Sequence, residues 1–179
     1  LVVLHCGAVE MKPNHRQLYD RYRAEPENDR ELEDLVSREL AQRRRHQMPH
    51  LDAIRFSLDR LMTVAMTYGV TLGLENRSHY FEIPDSEEFA VLFAEFEGAP
   101  IGYWHDTGHA HANEKLGIVP DGEMLKRYTD HLVGIHLHDA AGLDDHLAAG
   151  SGEIDFKAFR LFLGKDMPVV VDLRSGTAD

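Results

Sequence analysis

The sequence predicts an α/β fold, a parallel sheet whose strands alternate with helices, laid out as part of an eight-unit (β/α)8 barrel. Three observations predict it. Five short apolar runs recur, at residues 1–4, 70–74, 101–104, 132–137 and 168–173, and short, nearly continuous β-rich runs suit strands buried on both faces. Helical periodicity fills the stretches between them. The last four runs begin at residues 70, 101, 132 and 168, a near-even spacing that favours a repeating unit. An open doubly wound sheet would give the same alternation, although no Gly-rich dinucleotide fingerprint supports it. A complete eight-unit barrel takes about 250 residues, and this chain has 179. The expectation is one domain over residues 1–179, a partial barrel of about five βα units whose first three strands are missing on the N-terminal side. Such a sheet exposes two strand edges and invites aggregation or closure by another chain, a homo-oligomer included.

The helices follow from spacing and caps. Residues 29–47 are densely charged and read as a largely solvated helix opening at Asp29. Leu51, Ile54, Leu58, Leu61 and Ala65 form an apolar stripe at three/four spacing, and Gly69 sits where a C-cap belongs. Ser86 is placed to cap a helix whose stripe is Phe89, Leu92, Phe93 and Phe96, closed by Gly98. Asp121 and Asp155 open two more, the second carrying Phe156, Phe159 and Phe162 and ending at Gly164.

Composition narrows the function classes. Hydrophobic residues are 43% and charged residues 28%, ordinary for a globular domain. There is no apolar run of membrane-spanning length and no signal-peptide pattern, so no membrane partner is expected. The single cysteine, Cys6, rules out an internal disulfide framework and fits a reducing, cytoplasmic setting. The net charge of -12 counts against a broad electrostatic grip on nucleic acid, although bound divalent cations would raise the local charge in a cleft.

The chemistry collects where the strands end. The first run is followed by His5; the second by Glu75 and Asn76; the third by Asp106 and His109; the fourth carries His136 and His138 and leads to Asp144, Asp145 and His146; the fifth contains Asp172. A lone strand-end Asp or His is ordinarily a helix cap or a hydrogen-bonded loop residue, and His105, His111 and His131 belong there. Alternation sends neighbours to opposite faces, so His105 and Asp106 do not both face the site, whereas His138, two residues after His136, can share its face. The set as a whole needs more. Buried carboxylates and imidazoles are costly without a partner that neutralises them, and a divalent cation is such a partner. Mixed imidazole and carboxylate donors suit zinc, manganese, iron or cobalt better than calcium.

The motifs "GLENR", "DTGHA", "GIHLHD" and "DDHLAAGSGEIDF", in this order and one per strand, resemble the xylose isomerase-like TIM barrel superfamily. That superfamily holds metal-dependent sugar isomerases and epimerases and the endonuclease IV type of AP endonuclease. The resemblance runs from His5 to Asp172 and implies strands four to eight of the barrel. It also implies one divalent metal held by Glu75, Asp106, His136 and Asp172, the last standing where the family has Glu. His5, His109, Asp144 and His146 match further metal ligands of the endonuclease pattern.

The resemblance implies a divalent-metal-dependent isomerase or epimerase of a sugar or related polyhydroxy or keto compound. It would work by proton transfer through a metal-stabilised enediolate. Glu75 and Asp172 would act as acid and base, with His109 on a substrate oxygen, Asn76 and Arg77 on outer hydroxyls and Trp104 as an apolar wall. Lys115 and Arg174 read as solvated surface residues. Two alternatives stand beside it. One is an endonuclease IV-like zinc phosphodiesterase on abasic DNA; the other is a catalytically degenerate barrel with a binding role, motivated by Asp172 and the absent strands.

Overall fold

The computed structural model describes residues 1–25 and 30–174; the expected helix start at Asp29 lies outside the described residues. Five strands form one parallel sheet that curls as a half-barrel. In chain order these are β1 (Val2–Leu4), β2 (Leu72–Glu75), β3 (Ile101–Asp106), β4 (Leu132–Leu137) and, last, β7 (Val169–Val171). Their spatial order is β1-β2-β3-β4-β7, every neighbouring pair parallel. Each strand therefore lies beside its predecessor in the sheet, the order of a barrel wall rather than of a doubly wound sheet. Between β4 and β7 runs a small antiparallel hairpin, β5 (Asp139–Ala141) and β6 (Asp144–Leu147).

The helices are α1 (His15–Ala24), α2 (Arg30–Tyr68), α3 (Ser86–Glu95), α4 (Thr107–Lys115) and α5 (Glu123–Arg127). The two helical stretches expected on either side of Pro49 are one helix, α2, 39 residues long with Pro49 inside it. A proline removes one helical N–H, and burial on both sides of it holds the helix together: Leu32, Leu35 and Val36 on one arm, Leu51, Ile54, Leu58, Met62 and Ala65 on the other. The first arm is largely solvated, as expected, but also buries a stripe of Leu32, Leu35, Val36, Glu39 and Arg43. Met62, rather than Leu61, completes the buried stripe; Leu61 is exposed. The predicted stop holds: Gly69 takes φ +63° and the Val70 N–H bonds the Ala65 carbonyl at 2.9 Å, a left-handed helix end.

Two starts differ from the sequence reading, and a third element differs only in helix type. The α3 N-cap is Asp85, not Ser86, because Asp85 and Glu88 close a capping box: Glu88 N–H donates to Asp85 Oδ1 (2.9 Å) and Asp85 N–H to Glu88 Oε2 (2.8 Å). α5 opens at Gly122, in a left-handed conformation, and is only five residues long, so Asp121 does not cap it. Asp155 does cap, through Lys157 N–H (3.0 Å), but the segment it opens, Phe156–Leu161, is a 3-10 helix.

The core between sheet and helices joins Leu72, Leu74 and Tyr103 to Phe89, Leu92, Phe93, Tyr128 and the second arm of α2. On the opposite, inner face Trp104 lies almost fully buried. A Cβ on Gly134 would fall 2.0 Å from its ring and one on Gly73 3.3 Å from its Cβ; the two neighbouring strands use glycine to make room for one indole. β7 lies at the open edge, with Val169, Val170 and Val171 exposed. No helix among the described residues is long and apolar enough to cross a membrane.

One buried ion cluster ties α2 to α3. Arg43, 1% exposed, donates to Glu88 Oε2 (2.5 Å), Asp85 Oδ2 (2.7 Å) and the Glu82 carbonyl (2.8 Å). Burial raises the Glu88 carboxyl above its ordinary range, with Arg43 pulling the other way. Removing one partner of a buried pair strands the other charge. Arg43→Ala is expected to cost about 3–5 kcal/mol of unfolding free energy by urea denaturation; a loss below about 1 kcal/mol, the scale of an exposed pair, would contradict this role.

Candidate metal centre

Parallel register builds the site. Asp106 ends β3 and is the register partner of His136 on β4; Glu75 ends β2, paired with Trp104. In a parallel sheet, paired residues and those two apart share a face, so Glu75, Trp104, Asp106 and His136 all point into the half-barrel. Tyr103 and His105 point out to the helices. There the Tyr103 hydroxyl donates to Asn76 Oδ1 (3.0 Å) and lies 2.7 Å from His105 Nδ1. Burial lowers the His105 pKa to about 4, which keeps that ring neutral.

Glu75 and Asp106 are 1% and 0% exposed. Glu75 Oε1 meets His136 Nδ1 at 2.9 Å; its Oε2 meets His5 Nε2 at 2.5 Å and Arg77 Nη1 at 2.9 Å. Asp106 caps α4 through the His109 N–H (2.8 Å to Oδ1) and takes the His138 Nε2–H between its oxygens (2.9 and 3.0 Å). Its Oδ2 faces His136 Nδ1 at 3.6 Å. Burial acts to raise the Asp106 pKa, but bonds from His136 and His138 outweigh it and hold the carboxyl well below the usual carboxylate range. The same contacts, Asp106 and then Glu75, push His136 up to about 9.

Among the described residues, two groups of three bring metal-binding atoms within 4.8 Å of one another: Glu75, Asp106 and His136; and His109, His138 and His146. The first fits a divalent cation by its donors, two buried carboxylates and an imidazole converging from three strands. In the second, both His138 nitrogens already have partners, since Nδ1 accepts the His146 backbone N–H (2.8 Å). His109 turns Nδ1 to the Asn76 carbonyl (3.0 Å) and leaves Nε2 for a ligand. His146, at the left-handed φ of +58°, bonds Asp145 Oδ1 through Nδ1 (2.9 Å).

Other expected site residues lie elsewhere. Asp172 belongs to neither group; it is half-exposed and faces His146 Nε2 at 3.6 Å. Asp144 is on the surface, paired with Arg174 (2.9 Å), because the tight hairpin turn points it away from the barrel. The Asn76 amide braces β3, accepting the Asp106 N–H (2.7 Å) and donating to the Asp106 carbonyl (3.0 Å). Arg77 is held between Glu75 and Glu82. Trp104 is floor rather than rim: it meets His136 edge-on, with ring centres 5.0 Å apart. Lys115 pairs with Glu153 (2.9 Å) and His131 stacks on Phe93.

Sequence reasoning missed Asp139. Its two oxygens accept four backbone N–H groups, from Ala140 (2.9 Å), Gly150 (2.8 Å), Gly152 (2.8 Å) and Ile154 (3.1 Å). This ties the loop after β6 to the start of β5. A Cβ on Gly152 would lie 2.3 Å from the Ala140 carbonyl oxygen. The available signal was a strand-end Asp followed by "GSGEID", a glycine-rich stretch whose backbone N–H groups suit a carboxylate.

A model of the xylose isomerase-like TIM barrel family matches residues 34–174. The chain is 27% identical over 135 residues to protein MJ1614 of Methanocaldococcus jannaschii, covering 72% of this chain and 49% of that one. Over 104 residues it is 29% identical to MJ1311 of the same organism (56% and 34%). Similar solved structures include a D-tagatose 3-epimerase-like protein (22% identity, TM-score 0.58, 69% of this chain and 48% of that one). They also include the 3-keto-D-glucoside 4-epimerase YcjR from E. coli (20%, 0.54, 71% and 48%). A third is the D-allulose 3-epimerase from Methylomonas sp. (16%, 0.57, 73% and 44%). The chain spans about half the length of the first of these relatives.

The His136 pairing has a pH signature. Its folded pKa lies above the ordinary 6.5, near 9, so the stabilisation is fully present below about pH 6.5 and is lost as pH rises through about 9. Chelator-treated wild type is expected to lose thermal stability across that window, and His136→Gln to lose less. Parallel stability curves for the two proteins would contradict the assignment.

Proposed function

The chain belongs to the xylose isomerase-like TIM barrel family, and from that premise we propose a divalent-metal-dependent isomerase or epimerase of a sugar or related polyhydroxy ketone. The observation that carries the reading is the convergence of Glu75, Asp106 and His136, two of them fully buried carboxylates, at one end of the half-barrel. These three would hold the ion, with Asp172 as a fourth oxygen donor one methylene shorter than the family Glu. A zinc, manganese, cobalt or iron ion there would polarise a substrate carbonyl and stabilise the negative charge left when the adjacent C–H loses its proton.

The remaining chemistry falls to side chains. Glu75 moves the proton at the carbon beside the carbonyl, with Arg77 and His5 positioned against its Oε2. Asp172, just past the end of β7 and facing His146, serves the opposite face of that carbon. His109 Nε2, left free by the Nδ1 bond to Asn76, donates to or accepts from a substrate oxygen. Arg77 and Asn76 hold the Glu75 and Asp106 ends of the site in register. The three solved structures named above are of sugar epimerases or a protein like one, which supports a small sugar-like substrate.

A second reading, a zinc phosphodiesterase of the endonuclease type, is favoured by one observation, a second group of metal-binding atoms, His109, His138 and His146, of which His109 lies 3.5 Å from Asp106. It requires two or three zinc ions per chain.

The test is solvent exchange. The chain, supplied with Mn2+ or Co2+, is incubated with ketohexoses in D2O and followed by NMR. Deuterium is expected at a carbon next to the carbonyl, with Glu75→Gln slower by about 10^2- to 10^4-fold and Asp106→Asn unable to retain the metal. One bound ion without exchange on any ketose would sink the epimerase reading, and two or three bound zincs with cleavage of an abasic duplex would establish the other.

A further inference from the structure

His138 was a site candidate only by its spacing from His136, yet its neighbours enclose it on every side that the structure shows. It is 0% exposed. Thr107 brackets its backbone, the Thr107 hydroxyl donating to the His138 carbonyl (2.6 Å) and accepting the His138 N–H (3.0 Å). Gly108 leaves space for its ring: a Cβ there would fall 2.1 Å from His138 Cε1 and 2.5 Å from Nδ1. The "DTGH" sequence is therefore a socket. Asp106 receives the ring, Thr107 grips its backbone, Gly108 gives it room, and the His109 ring meets it edge-on at 5.9 Å.

The two ring nitrogens have opposite duties. Nδ1 accepts the His146 backbone N–H at 2.8 Å, so it carries no proton. Nε2 then carries the proton and gives it to Asp106, 2.9 and 3.0 Å from the two oxygens. One neutral tautomer satisfies both bonds, and the other breaks both. The His146 ring stacks on His138 with centres 4.1 Å apart, and the backbone that Nδ1 holds is the one with φ +58°, a conformation a non-glycine residue keeps only when its surroundings demand it.

We propose that His138 is a positioning residue that sets the Asp106 carboxylate for the metal through Nε2 and locks the β5–β6 hairpin, and with it His146, over the site through Nδ1. Its metal arm rests on the metal reading above; its hairpin arm does not. Partners of this kind around metal ligands typically change metal affinity by about 10–100-fold when lost.

Two variants separate the arms. In His138→Asn the side-chain oxygen stands where Nδ1 stood, so the His146 bond survives and the Asp106 bond is lost. In His138→Gln the amide nitrogen stands where Nε2 stood, so the reverse holds. The readouts are Co2+ affinity by calorimetry and exchange protection of the His146 amide by NMR, on the whole chain. The expectation is that His138→Asn weakens Co2+ binding by about 10-fold or more while the His146 amide stays protected. His138→Gln keeps affinity within about threefold while that amide exchanges freely. If both variants lower both readouts together, or neither moves either, His138 is a packing residue and the proposal is overturned. If wild type binds no Co2+, the metal reading fails, and the hairpin arm then stands or falls on the amide exchange of the same two variants.

Discussion

Two carboxylates buried side by side, Glu75 at the end of β2 and Asp106 at the end of β3, are the constraint on which the rest of this site depends. Neither side chain reaches solvent, and each charge would be heavily penalised alone. The surrounding residues answer that penalty in an ordered way. His136 stands between the two carboxylates, His5 and Arg77 flank Glu75, and His138 and the first turn of α4 hold Asp106. A metal cation would take over the part of that neutralisation now supplied by the His136 proton, which is how a buried acidic pair becomes a binding site rather than a defect.

The fold serves this arrangement by making room for one large side chain on the inner face below it. Glycines at 73 and 134 admit Trp104 as a single large floor residue under His136. Tyr103 and Asn76 brace the strand ends from the other side through the Asp106 backbone. Asp139 gathers the loop after the hairpin with four backbone bonds. Each of these residues acts on the site through the position of another, so the candidate site rests on a layer of hydrogen bonds and close glycine contacts.

The strands and their polar ends were legible in the sequence because both are local: a β-rich run and the residue just past it. Glu75, Asp106, His109 and His136 came from that pattern, and Gly69 from the end of an apolar stripe. The contacts that were not legible depend on distance along the chain. Arg43 meets Asp85 and Glu88 more than forty residues away, which makes part of a charged stretch interior. Asp139 meets Gly150, Gly152 and Ile154 through their backbone, a partner that leaves no mark in residue identity beyond the glycines. Asp172 and Asp144 carried the right chemistry at strand and hairpin ends, but the three-residue β7 and the tight hairpin set one at the rim and the other on the surface.

The most direct measurement is anomalous diffraction at the manganese edge from crystals of the chain grown with Mn2+. The account predicts one strong peak within about 2.3 Å of an oxygen of Glu75, an oxygen of Asp106 and a nitrogen of His136. A peak confined to the His109 and His146 side, or none at millimolar Mn2+, would contradict it, and the buried carboxylate pair would then be a structural ion cluster closed by histidine and Arg77.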